Sequence, residues 1–241
     1  MSRTPEYGET WVYESIVGAL PGVELSDRLA IGIQFTVFEG ALLAVAAVYG
    51  LWDAVVPGTV AVLVAAVGSW LMLRYSRSVR ALRSPDGYRR VLFGSNIEVV
   101  LGVVSFVLLV TYLFVTDPRT SDQPLLTEIL GPEPPSLAVA LLLLILWDVV
   151  YRIGTCWWAT VAGLWRAVVY EFGPETTREY ARIDGLNVAF AGVQLLFVPF
   201  VLDHPILVAA LVGHVIAVVA VATLSVLLQR RSRKESDRSI R

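Results

Sequence analysis

Six long apolar stretches fill most of this chain, and they limit what it can fold into more than any other feature. They run approximately Leu29–Leu51, Pro57–Leu73, Val91–Val115, Leu137–Trp158, Leu186–Leu202 and Pro205–Leu228, the second and fifth being short. A helix crossing roughly 30 Å of hydrocarbon needs about 20 mostly apolar residues. In lipid, every backbone N–H and C=O must be satisfied internally, which leaves helices or closed barrels. Apolar runs this long and continuous select helices. The expectation is an all-α, polytopic membrane bundle of six transmembrane helices. A hydrophobic fraction of 56% and a mean hydropathy of +0.67 agree, because a soluble domain of 241 residues needs far less apolar material for its core.

Arginine sets the orientation. The connection after the second stretch carries Arg74, Arg77, Arg80, Arg83, Arg89 and Arg90 against Asp86 alone. The C-terminal tail carries Arg230, Arg231, Arg233, Lys234, Arg238 and Arg241. By contrast, the connection Thr116–Ser136 holds only Arg119 among Asp117, Asp122, Glu128 and Glu133, and the turns Asp53–Pro57 and Asp203–Pro205 have no arginine or lysine. Under the positive-inside rule both termini are cytoplasmic and the chain is a multi-pass protein of the cell membrane. Orientation accounts for these arginines; no aromatic platform accompanies them, so nucleic acid is not an expected partner.

Organisation follows from the same pattern. Residues 1–28 form a cytoplasmic amphipathic segment, in which Tyr13, Ile16, Val17 and Leu20 share a helical face before Pro21-Gly22 ends the helix. The acids Glu6, Glu9, Glu14, Glu24 and Asp27 ahead of the first stretch are the wrong flank for a cleavable signal peptide. Residues 29–228 make the six-span domain, with helical hairpins extending into the cytoplasm around 74–90 and 159–183. Residues 229–241 are a basic tail. In the second hairpin Val161, Leu164, Trp165, Val168, Val169 and Phe172 follow a helical period, while Arg166 and Glu171 fall on other, solvated faces.

Residue usage adds a resemblance. Lys234 is the sole lysine, arginine carries the positive charge, and acids fill the loops of an Ala- and Val-rich chain. Together with the stretches Trp11–Gly22 and Asp148–Thr155, this resembles the uncharacterised multi-pass membrane proteins of halophilic archaea. The resemblance implies a molar-salt medium, where the Debye length is about 3 Å and surface arginines steer little. It carries over no site residue.

The odd-numbered spans begin alike: Arg28 with Gly32 and Gln34, Arg90 with Gly94 and Asn96, Arg182 with Gly185 and Asn187. Two readings stand, three tandem two-helix repeats whose amides converge on one axis, or coincidence of common membrane residues. Small-residue ladders at Ala209, Gly213 and Ala217 and at Gly40 and Ala44 suit close helix approach, within the chain or in a homo-oligomer.

Polar residues inside the spans gather in the cytoplasmic half. At 1.5 Å per residue, Gln34, Asn96 and Asn187 lie shallow, Glu98 and Arg152 roughly 10 Å deep, and Glu39, Asp148 and Gln194 at about 15 Å. Intramembrane charges cost roughly 2.5–3.5 kcal/mol each even on lenient scales, so these residues face protein or water. Asp148 and Arg152 are one turn apart and can pair; Asn187 and Gln194 form another stripe; Asn96 and Glu98 point to different sides. Glu39, Glu98 and Asp148 against Arg152 leave net negative charge, which calls for a bound small cation, protonated carboxyls or a water-filled vestibule. The expected function is transport or sensing of a small ion or solute. The alternative is a membrane scaffold or partner subunit in which Asp148, Arg152 and Glu98 lock the helices together.

Catalysis finds no support. There is no G-x-S-x-G, H-E-x-x-H or P-loop motif. Cys156 is alone, and with only His204 and His214 beside it no His/Cys metal or cofactor site is expected. His214, near the middle of the last span, reads as a satisfied core histidine.

Overall fold

The computed structural model describes residues 10–11, 26–82 and 84–239, with side chains through residue 229. The amphipathic helix expected over Tyr13–Leu20 lies outside the described residues. The described residues are helical throughout, without strands, and six helical segments are long and apolar enough to cross a membrane. These are Asp27–Tyr49, Trp52–Ala81, Asp86–Thr120, Ser136–Val169, Pro174–Phe200 and Pro205–Gln229. Each contains one of the apolar stretches seen in the sequence or most of it.

Helix α1 (Asp27–Tyr49) starts where Ser26 caps Leu29 N–H and stops where Gly50 turns left-handed at φ 72°. That conformation costs glycine little and frees a carbonyl for a helix-ending bond. A short 3-10 turn, Trp52–Ala54, leads into α2 (Val55–Ala81). The third span is broken: α3 (Asp86–Gly94) ends before Ser95, and α4 (Ile97–Thr111) follows Asn96. Asn96 sits at φ 55°, a left-handed position that asparagine tolerates better than most residues. A π turn over Tyr112–Thr116 leads into the short helices α5 (Asp117–Thr120) and α6 (Leu125–Leu130). Then come the long α7 (Ser136–Val169), α8 (Pro174–Val193), a 3-10 turn over Gln194–Phe200, and α9 (Pro205–Ser239). Pro199, lacking an N–H, sits inside that tightened turn.

Helix α7 is the hub, touching α1, α2, α3, α4, α8 and α9. Its approach to α4 is backbone against backbone: a Cβ on Gly154 would lie 2.9 Å from the Gly102 nitrogen. Gly68 on α2 similarly makes room for Phe190 and the stem of Arg152. The ladders expected to serve this purpose face elsewhere, because a Cβ on Gly40 or Gly213 would meet nothing within 4 Å. At the arginine-rich end, Trp11 stacks on Tyr75 at 5.8 Å and donates to the Leu92 carbonyl at 3.2 Å, tying the start of the chain to α2 and α3.

Candidate functional site

Three groups of buried polar side chains occur at three levels of the bundle, and they differ in how well their hydrogen bonds are satisfied.

The middle group is saturated. Arg152 on α7 is ion-paired with Asp148 one turn away. Its Nε and Nη2 donate to the Ser69 hydroxyl on α2 at 2.9 and 2.7 Å. Ser69 donates in turn to the Gln34 oxygen on α1 at 3.3 Å, shared with the Ala65 carbonyl at 3.1 Å. Gln34 closes the circuit by donating from Nε2 to Asp148 Oδ2 at 2.6 Å. Three helices are thus joined through one guanidinium that is wholly buried. A buried pair needs such extra donors and acceptors to offset its desolvation.

Other expected members of this layer lie outside the circuit. Glu39 accepts from Thr59 at 2.8 Å, and its second oxygen has no partner. Glu98 is fully buried, and neither carboxyl oxygen has a hydrogen-bond partner. The lock weighed as the alternative is therefore built differently, with Ser69 and Gln34 rather than Glu98 joined to Asp148 and Arg152. Asn96 is exposed at the α3–α4 break within the third span, where its left-handed backbone separates the two helices. Asn187 is buried beside Cys156, whose thiol reaches the Asn187 carbonyl at 3.5 Å. The three amides of the odd spans thus occupy three environments and do not line one cavity.

A second group lies at the arginine-rich end. Arg166, expected on a solvated face, is wholly buried and ion-paired with Asp184 at 2.7 Å. Its guanidinium lies 3.9 Å from the Tyr180 ring centre and 5.0 Å from that of Tyr88. It also donates to the Tyr88 hydroxyl at 3.1 Å, and Tyr88 bonds Tyr75 at 3.0 Å. Tyr180 donates to Ser84 at 2.8 Å. This aromatic cage bolts α2, α3, α7 and α8 together. Its sequence signal was the spacing of Arg152 and Arg166: fourteen residues is nearly four turns, which puts both on one face of α7.

The third group is at the opposite, acidic end, where an apolar cavity of about 410 Å³ opens among α1, α2, α4, α7, the 3-10 turn and α9. Leu42, Leu126, Ile145 and Phe197 are typical of its wall. Three polar side chains, Ser105, Gln194 and His214, line it as well. Gln194 is wholly buried, and neither its oxygen nor its nitrogen has a partner among the described residues. The expectation of a satisfied His214 does not hold, since its buried Nε2 is also without a partner while the ring rests near Trp157. Nearby, Asp117, expected in a surface loop, is buried against His204 with Oδ1 2.8 Å from Nδ1. The size of the larger cavity and the few polar groups set in its apolar wall are those of small-molecule sites in general.

A model of a family of unknown function, DUF7530, matches residues 6–225, and the chain belongs to that family. No curated protein and no solved structure matches it.

Proposed function

We propose that this DUF7530 member is a multi-pass protein of the cell membrane that carries or senses a small, mostly apolar solute bearing one hydrogen-bonding group. The solute occupies the 410 Å³ cavity. The observation that carries this reading is the pairing of an apolar wall with the Gln194 amide and His214 Nε2, buried polar groups without a partner among the described residues. A buried polar atom left unpaired costs about 1–3 kcal/mol, a cost that a bound hydroxyl or amine would relieve. Within the polar layer expected to conduct an ion, the Gln34, Ser69, Asp148 and Arg152 circuit supports the other role weighed for it: its hydrogen bonds are spent internally, as suits a lock that fixes α1, α2 and α7. The arginine-rich end is cytoplasmic, and the single lysine supports a molar-salt medium.

Cavity filling tests this reading on protein reconstituted in nanodiscs, with 1-hexanol as probe. Ser105 on α4 lines the cavity, whereas its neighbour Val104 is 51% exposed. Ser105→Phe should abolish hexanol binding and Val104→Phe should leave it intact. Equal binding by the two variants, or none by the parent protein, would sink the proposal.

A further inference from the structure

The Asp117–His204 pair opens a more specific question, what kind of solute is admitted. Asp117 is 1% exposed and accepts three donors: the Tyr112 hydroxyl at 3.2 Å, the Leu125 N–H at 2.7 Å and His204 Nδ1 at 2.8 Å. A carboxylate can only accept, so Nδ1 carries a proton, and in the neutral ring Nε2 is the acceptor. A carboxylate behind a histidine is a common way to fix the ring's tautomer and orientation. His204 is 2% exposed, and its Nε2 has no partner among the described residues.

His204 lines a second cavity, of about 230 Å³, whose rim carries the exposed carboxylates Asp53, Glu128 and Asp203. No arginine or lysine lines it. A lone pair set in the wall of a space ringed by negative charge fits a cation that can donate hydrogen bonds. Among the described residues no three His, Cys, Asp or Glu side chains converge closely enough to hold a metal ion. The two cavities also share Pro57, Leu125, Ile129 and Phe200 in their walls, so a molecule seated at the rim adjoins the apolar space.

From the juxtaposition of His204 and the rim carboxylates with the apolar cavity, we infer that the solute class is a hydrophobic amine. Its ammonium group is received between His204 Nε2 and Asp53, Glu128 and Asp203, and its apolar body extends along the shared wall. This rests on the cavity reading above, and adds to it a charge and a point of admission.

The test uses the full chain in nanodiscs of zwitterionic lipid, with binding to empty nanodiscs subtracted. The probes are hexylammonium and 1-hexanol. The variant is the triple substitution Asp53→Asn, Glu128→Gln, Asp203→Asn, whose exposed positions spare the fold. The expected result is binding of hexylammonium about tenfold or more tighter than hexanol, with that preference lost in the triple variant and hexanol affinity unchanged. Hexanol binding without an ammonium preference, or a preference that survives the triple substitution, overturns the inference and leaves the cavity reading standing. Failure of both probes to bind the parent protein overturns both.

Discussion

Arg152 on α7 and Ser69 on α2 meet through two donors on one hydroxyl, at 2.9 and 2.7 Å. Gly68 beside that serine leaves space for the arginine stem, since a Cβ there would lie 2.8 Å from Arg152 Cδ. The geometry explains why a charged side chain can sit at the centre of an apolar bundle: every element of the circuit around it is paired, and the pairs come from three helices.

Breaking that circuit on one side should be costly. Asp148→Asn leaves a buried guanidinium without its counter-charge, and a loss of about 3–5 kcal/mol is expected for removing one partner of a buried pair. The double variant Asp148→Leu, Arg152→Met should recover much of that loss. Unfolding in mixed micelles measures both. A double variant as unstable as the single one would mean the pair holds more than helix register.

The arginine-rich end offers an internal contrast. Asp184→Asn, which strips the buried partner of Arg166, should destabilise by a similar several kcal/mol. Glu179→Gln removes a partner of Arg182 in an exposed pair and should change stability by less than about 1 kcal/mol. Comparable losses from the two substitutions would contradict the cage as a structural bolt.

Much of this fold was legible in the sequence because the bilayer imposes a long, simple pattern: six stretches appear as six spans, and Gly50 stops α1 where a glycine is expected to. Asp148 and Arg152 pair as their spacing of four suggests. What could not be read was which partners complete the pair. Ser69 and Gln34 lie on other helices, and no local period announces such contacts. Arg166 misled for a related reason, because an arginine flanked by apolar neighbours reads as solvated until Tyr88, Tyr180 and Asp184 close over it. Asn96 misled because a left-handed residue inside an apolar run is invisible to a hydropathy pattern. His214 shows the reverse case, a side chain expected to be satisfied whose Nε2 has no partner among the described residues.

Close packing gives a third prediction. Gly154→Ala would drive a methyl group to 2.9 Å from the Gly102 nitrogen, against backbone that cannot rotate aside. A cost of about 1–3 kcal/mol is expected. Gly213→Ala, with open space around it, should cost nothing measurable. Thermal unfolding of both variants decides the matter, and a tolerant Gly154 would mean that α4 and α7 are more loosely joined than described.

Orientation is checked with single cysteines in a Cys156→Ala background. Asp122→Cys should react with a membrane-impermeant thiol reagent added to intact cells, and Arg178→Cys should react only in inverted vesicles. Both positions are exposed, so accessibility depends on side alone. The reverse labelling pattern would place the arginine-rich end outside.

The central claim, that the cavity bearing Gln194 and His214 is a ligand site, is tested most directly by Gln194→Leu. Its apo thermal midpoint and its 1-hexanol affinity would be measured on one preparation. Replacing a buried amide that has no partner removes an unpaired polar group, so the apo protein should be at least as stable as the parent. Hexanol affinity should fall by about tenfold or more, the usual trade between stability and function at a binding site. A variant that loses stability while binding hexanol as well as the parent would contradict the account, because Gln194 would then be holding the fold together rather than awaiting a solute.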